Sequence, residues 1–119
     1  MSAHPSIRRL IYRFEGTESA SNSTVLTISG VPEKGFIVGV NVVPASSTTT
    51  PILSTDSSAA AAIKKILEYG AALTEPDVPI QPIYYEAHDD SGTFKIYLKP
   101  VIASGTVSVD YRIDIWPAA

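Results

Sequence analysis

The chain has 119 residues, of which 45% are hydrophobic and 18% charged, so it is long enough and apolar enough to fold as one globular domain. Its formal net charge is −3 and its nine Lys and Arg residues are scattered, which argues against a nucleic-acid partner, because nucleic-acid binders concentrate basic residues in a patch. There are no cysteines, so disulfides and cysteine-based catalytic or metal sites are excluded.

Residues 1–6 are predicted to form a polar arm, and residues 7–119 a single domain. The arm lacks the apolar segment of a secretory signal, so we expect the protein to be made in the cytoplasm without a signal peptide. No apolar run approaches the roughly 20 residues of a membrane helix, which argues against a membrane span.

Alternation of apolar and polar residues predicts three β-strands in the first half of the domain, over 7–15, 24–29 and 36–43. The connections are predicted to be a polar loop over 16–23 and a turn over 30–35. The third strand is apolar on both faces, so we expect it to lie centrally in its sheet. One of its faces is expected to carry Phe36, Val38, Val40 and Val42.

The middle of the chain predicts a loop, one helix and a proline-rich connection. Residues 44–58 contain a Ser/Thr run and are predicted to form a loop. Asp56 to Gly70 is predicted to be helical, because possible N-cap residues precede four alanines and Gly70 stands at a suitable C-terminal position. Residues 71–82 contain three prolines, which favour an irregular connection or an edge strand.

The last third of the chain carries the clearest strand patterns. Ile83 to Ala87 predicts a short strand, and His88 to Gly92 a turn. Two more alternating strands follow, and Ala103 to Gly105 between them predict a β-hairpin. The apolar positions of these strands are Phe94, Ile96 and Leu98, and then Val107, Val109, Tyr111, Ile113 and Ile115.

Together, these elements predict a mainly β fold, namely an antiparallel β-sandwich of jelly-roll or Greek-key type with one short α-helix. Strands and helices do not alternate in the way that a parallel α/β sheet requires. The alternative is a small closed β-barrel.

The sequence predicts neither an enzyme active site nor a cofactor site. His4 lies in the arm and His88 in a turn, and no nucleophile motif accompanies them. Asp89 and Asp90, beside His88, supply too few oxygen ligands for calcium and are explained by the turn. The two aspartates of the last strand lie about 13 Å apart, farther than the paired carboxylates of a glycosidase. We therefore expect a protein without enzymatic activity, metal or cofactor.

Aromatic residues and long polar segments favour a protein that acts by binding. Tyr84, Tyr97 and Trp116 are expected to point away from the apolar strand positions, where they either anchor a protein interface, stack on sugars, or pack under a second layer. The arm, the Ser/Thr loop and the proline-rich connection offer further contact segments. The residues expected at an interface are His4, Ile7, Ser47, Thr49, Pro79 and Trp116.

The Ser/Thr/Ala-rich loops, the Cys-free start at Met1 and the ending GTVSVDYRIDIWPAA resemble the small virion proteins of tailed bacteriophages, in particular head-decoration (cement) proteins. The resemblance covers the whole chain in composition and architecture, and no family site residue is carried over. It implies a non-enzymatic β-sandwich, often trimeric, that joins neighbouring capsid subunits in the virion. The alternative function is a carbohydrate-binding or adhesin-like β-sandwich that uses its aromatic residues as a stacking platform.

Overall fold

The computed structural model describes residues 11–46, 49–59, 65–68 and 78–118, and the predicted arm lies outside this part of the chain. The described residues form nine β-strands and no α-helix. The strands are β1 (Tyr12–Ala20), β2 (Leu26–Ser29), β3 (Lys34–Pro44), β4 (Ile52–Ser54), β5 (Lys65–Glu68), β6 (Val78–Glu86), β7 (His88–Asp90), β8 (Thr93–Lys99) and β9 (Val107–Pro117).

The strands pair antiparallel in two sheets. The first sheet has the order β1-β9-β3-β6, and the second has the order β2-β8-β4-β5, with β7 also paired to β8. Consecutive strands mostly change sheet, so the neighbours within each sheet are distant in sequence. This order is that of a jelly roll. The predicted β-sandwich is therefore confirmed, and the alternative closed barrel is not what the described strands form.

The core lies between the two sheets and contains side chains from both. Its members are fully or almost fully buried, and burying one such side chain contributes roughly 1.5–3 kcal/mol. They include Ile28, Ile37, Val40, Val42, Leu53, Tyr85, Ile96, Leu98, Val109, Ile113 and Ile115. The alternation predicted for the last two long strands is confirmed by this set.

A β-bulge in β3 reverses the alternation of inward and outward residues within the strand. Between Ile37 and Gly39, two steps along β3 correspond to one step along β9. Ile37 is buried before the bulge and Val40 after it, because the extra residue exchanges the two faces. The predicted common face of Phe36, Val38, Val40 and Val42 is therefore wrong, and Phe36 lies on the opposite face from the two buried valines. The predicted central position of the strand is confirmed.

The predicted hairpin near the C-terminus is also wrong, because β8 and β9 lie in different sheets. The connection between them crosses the sandwich. Pro100 follows β8 and has no N–H with which to continue it, and Val101 turns the chain with a φ of 53°. Ile102 is then fully buried and forms an isolated β-bridge with Thr49. A tight hairpin lies earlier, where β7 and β8 are joined by the two-residue turn Ser91–Gly92 with positive φ at both positions.

The predicted helix over Asp56–Gly70 is wrong wherever the structure describes it. Residues 65–68 form β5, and Leu67 lies opposite Leu53 of β4. Residues 56–59 form a turn, in which the N–H of Ala59 donates to the carbonyl of Asp56 over 2.9 Å. Helix propensities differ by under about 1 kcal/mol per residue, so pairing with β4 outweighs them for residues 65–68.

Two predicted loops are strands at the edges of the first sheet. Residues 16–20 belong to β1, most of whose side chains are exposed and which, among the described residues, pairs along one edge only. Residues 78–82 belong to β6, so the edge-strand alternative for the prolines is confirmed there, while 71–77 lie outside the described residues.

Candidate interaction face of the four-stranded sheet

The outer face of the four-stranded sheet, directed away from the second sheet, carries three aromatic residues on three adjacent strands. Phe36 of β3 lies directly opposite Trp116 of β9 on one side and Tyr84 of β6 on the other. The ring centroids of Phe36 and Tyr84 are 5.4 Å apart with the planes tilted by 59°, an arrangement that suits the ring quadrupoles. We call these three residues the aromatic strip.

The aromatic strip is accessible at one end. Tyr84 is 47% exposed, and its hydroxyl donates to Glu86 Oε2 over 3.4 Å. Phe36 and Trp116 are half-buried. Because contiguous apolar patches mark interaction sites and Tyr84 is the exposed end of such a patch with Phe36, Tyr84 is the natural anchor of this strip for a partner molecule.

Charged residues lie beside the aromatic strip on the same face. Arg13 of β1 donates from its Nε to Asp114 Oδ1 over 2.9 Å and from its Nη2 to Asp114 Oδ2 over 3.5 Å. Arg112 approaches the other oxygen of this carboxylate at 3.7 Å. The hydrogen bond and the negative charge of Asp114 raise the pKa of Arg13. The carboxylate lies across Gly39, whose missing side chain makes room for it.

An open polar pocket of about 370 Å³ lies farther along the same strands. Within it, the Thr17 hydroxyl donates to Asp110 Oδ1 over 2.6 Å. The side-chain oxygen of Asn41 is buried and accepts no hydrogen bond in the described part of the chain. The residues that line the pocket are Glu15, Gly16, Thr17, Asn41, Asp110, Tyr111 and Arg112.

The structure brings together two of the three aromatic residues that the sequence singled out. Tyr84 and Trp116 join the aromatic strip, whereas Tyr97 of β8 is only 6% exposed and belongs to the other sheet. Phe36, which completes the strip, was missed because the alternation rule placed it in the core. The signal that could have placed it correctly is Gly39, since a glycine inside a strand often marks a bulge.

The residues predicted at an interface are dispersed. Trp116 lies in the aromatic strip, and Pro79 lies in the edge strand β6 opposite Gly39. Thr49 is buried, and its hydroxyl donates to the carbonyl of Pro100, which gives it a role inside the domain. His4, Ile7 and Ser47 lie outside the described residues.

Within the described ranges, no three His, Asp or Glu side chains are grouped so that they could hold a metal ion. The same ranges contain no helix that is long and apolar enough to cross a membrane.

The fold and this face define a jelly-roll β-sandwich with an accessible aromatic surface. No protein-family model matches the chain, and neither a curated protein nor a solved structure matches it. Its function is therefore argued from the geometry of the outer face.

Proposed function

We propose that the protein is a non-enzymatic structural protein of a virion, which self-associates and decorates the capsid, stabilising its protein lattice through the outer face of the four-stranded sheet. The aromatic strip is the observation that carries this proposal. Tyr84, Phe36 and Trp116 form a continuous apolar band, and Trp, Tyr and Arg are the residue types that supply most of the binding energy at protein interfaces.

The surroundings of the aromatic strip also suit a protein partner. Interfaces combine an apolar centre with a polar rim, and here the band is flanked by the Arg13–Asp114 pair. The strand that holds Phe36 is paired on both sides, with β9 and with β6, so little order has to be gained on binding. The jelly roll itself occurs among viral capsid proteins, and this fold-level analogy supports the virion assignment without identifying the partner.

Co-sedimentation with purified capsids of the virus that encodes the chain tests the proposal. The wild-type chain is expected to travel with the capsids through a density gradient. Tyr84→Ala should weaken binding by about tenfold or more, because it removes the exposed anchor. Tyr84→Phe is the matched control, since it keeps the ring and loses only the hydrogen bond to Glu86. A wild-type chain that stays at the top of the gradient would contradict the proposal.

A second candidate function is carbohydrate binding, favoured by the open polar pocket beside the same strands. Sugars combine an apolar face with hydroxyl groups, which match an aromatic ring and the carboxylates and hydroxyl group of Glu15, Asp110 and Thr17 in the pocket. Trp116 is the only tryptophan, so its fluorescence reports on this face alone. A saturable fluorescence change with a glycan from a glycan array, combined with absent capsid binding, would favour this function.

A further inference from the structure

The edge strand β1 has one open side. Within the described residues it pairs only with β9, and its nine residues follow that partner without a bulge or a proline. Open edges of this length invite pairing with another strand. We propose that β1 pairs antiparallel with β1 of a second copy of this chain, with Phe14 opposite the Phe14 of that copy. This proposal rests on the self-association in the proposed function and names its contact.

The sequence of β1 fits this register at each position. With Phe14 on the two-fold axis, Arg13 lies opposite Glu15 of the second copy, and Glu15 opposite its Arg13. Opposite charges and aromatic pairs directly across two strands stabilise their pairing. Tyr12 lies opposite Gly16, over which the ring of Tyr111 already packs, so this pair places two tyrosine rings near each other.

The only other registers to consider are those that keep each side chain on its own face of the sheet, which means pairings centred on another residue of β1. These registers are less favourable. A pairing centred on Glu15 places two like charges opposite each other, and a pairing centred on Arg13 does the same. A pairing centred on Gly16 places Phe14 opposite Glu18. Only the register centred on Phe14 joins opposite charges and aromatic residues at the same time.

The exposed apolar residues lie where this contact would cover them. Ile11 is 52% exposed and Tyr12 is 37% exposed, and together with Tyr84 they are the large hydrophobic side chains most exposed in the described part of the chain. Arg13 is also about half exposed at 53%, so it can meet a second carboxylate while it binds Asp114.

Glu18 limits how far the pairing extends. It lies opposite Val109, so its side chain is on the inward face of an edge strand, a position that discourages longer edge-to-edge pairing. In the proposed register the two copies pair over Tyr12 to Gly16, and Glu18 lies beyond this segment. A two-fold contact closes as a dimer, in contrast to the trimer implied by the virion resemblance.

Light scattering on the eluting wild-type chain should give twice the 12.7 kDa mass of one chain. Cysteine cross-linking tests the register, because the natural chain has no cysteine. Two single variants, Arg13→Cys and Glu15→Cys, are mixed in equal amounts and oxidised. In the proposed register their Cα atoms lie about 4.5–5.5 Å apart, within the range of a disulfide. Two copies of either variant place their cysteines about 8 Å apart, which is too far.

A mixed disulfide that forms faster than either self-disulfide is the expected result. Self-cross-linking of Glu15→Cys that outpaces the mixture would overturn the register, and a wild-type monomer or trimer would overturn the dimer. The aromatic strip lies on a face of the sheet and β1 lies at its edge, so capsid binding and dimer formation can be measured independently of each other. A monomer that still binds capsids would refute this contact and leave the decoration role standing.

Discussion

Gly35 of β3 lies against the backbone of Trp116, the residue of the aromatic strip on β9. A side-chain carbon on Gly35 would be 2.7 Å from the carbonyl oxygen of Trp116 and 3.0 Å from the ring of Tyr85. The first distance is too short for a non-bonded contact between a side-chain carbon and an oxygen, and a backbone oxygen cannot swing away as a flexible side chain can. Gly35 therefore fixes how closely the two central strands approach beside the strip.

Gly35→Ala is expected to destabilise the protein by about 1–3 kcal/mol, the usual cost of overpacking a core. For a domain of this size that corresponds to a fall in Tm of roughly 4 °C per kcal/mol. Thermal denaturation followed by circular dichroism measures it. Gly105→Ala is the matched control, because nothing lies within 4 Å of that position and only its φ of 72° is strained. A loss no larger than that of the control would contradict the close approach.

Ile113 is predicted to be among the most important core residues. It is fully buried on β9, the strand that joins β1 and β3 in the four-stranded sheet. Ile113→Ala should lower the free energy of unfolding by about 2–5 kcal/mol, since it removes buried methyl groups and leaves a cavity. Urea denaturation measures the change. Ser108→Ala on the same strand is exposed and should change stability by less than about 0.5 kcal/mol; equal effects from the two variants would be inconsistent with this core.

The sequence predicted the β-sandwich because alternation in the central strands is strong and each face has a distinct composition. It failed where the competing physics is non-local. The bulge beside Gly39 puts Phe36 on the outer face. The bulge depends on how many residues of β9 lie opposite this part of β3, and the local sequence of β3 does not contain that information. Residues 65–68 became a strand because β4 offered them a partner, a contact that helix propensity ignores. The candidate site was thus half predictable: Tyr84 and Trp116 were named, but the residue between them was not.

Stability is predicted to fall at alkaline pH because of Tyr85. This side chain is 3% exposed and its hydroxyl donates to the carbonyl of Pro32 over 2.9 Å. Burial raises its pKa above the ordinary value of 10.0. The folded state therefore keeps a proton that the unfolded state loses, so stability is complete below about pH 10 and decreases above it by up to about 1.4 kcal/mol per pH unit.

Urea denaturation at a series of alkaline pH values checks this dependence. Tyr85→Phe should be less stable at neutral pH, because it leaves the carbonyl of Pro32 without its donor, and should show a shallower decline with pH. Burial and the charge of Glu18 also raise the pKa of Tyr111. Tyr111 therefore accounts for part of the decline in stability that remains in Tyr85→Phe. If Tyr85→Phe and the wild type declined in parallel, Tyr85 would not be the source.

The aromatic strip is predicted to behave as a coupled unit, which a double-mutant cycle can establish. The rings of Phe36 and Tyr84 are in contact, with centroids 5.4 Å apart. Such pairs contribute about 0.5–1.5 kcal/mol beyond the burial of their area, so Phe36→Ala and Tyr84→Ala together should destabilise less than the sum of the two single changes by that amount.

The matched cycle combines Tyr12→Ala with Tyr84→Ala, because both tyrosines are exposed but lie on opposite edge strands of the sheet. Sites that do not touch add within about 0.3–0.5 kcal/mol, so this cycle should show no coupling. Urea denaturation of the six proteins supplies both cycles. Additivity in the Phe36–Tyr84 cycle would mean that the two rings act independently, so that Phe36 does not support the exposed tyrosine of the proposed capsid-binding face. Coupling would show instead that the half-buried Phe36 holds Tyr84 in position, so that Phe36 also supports the proposed capsid contact.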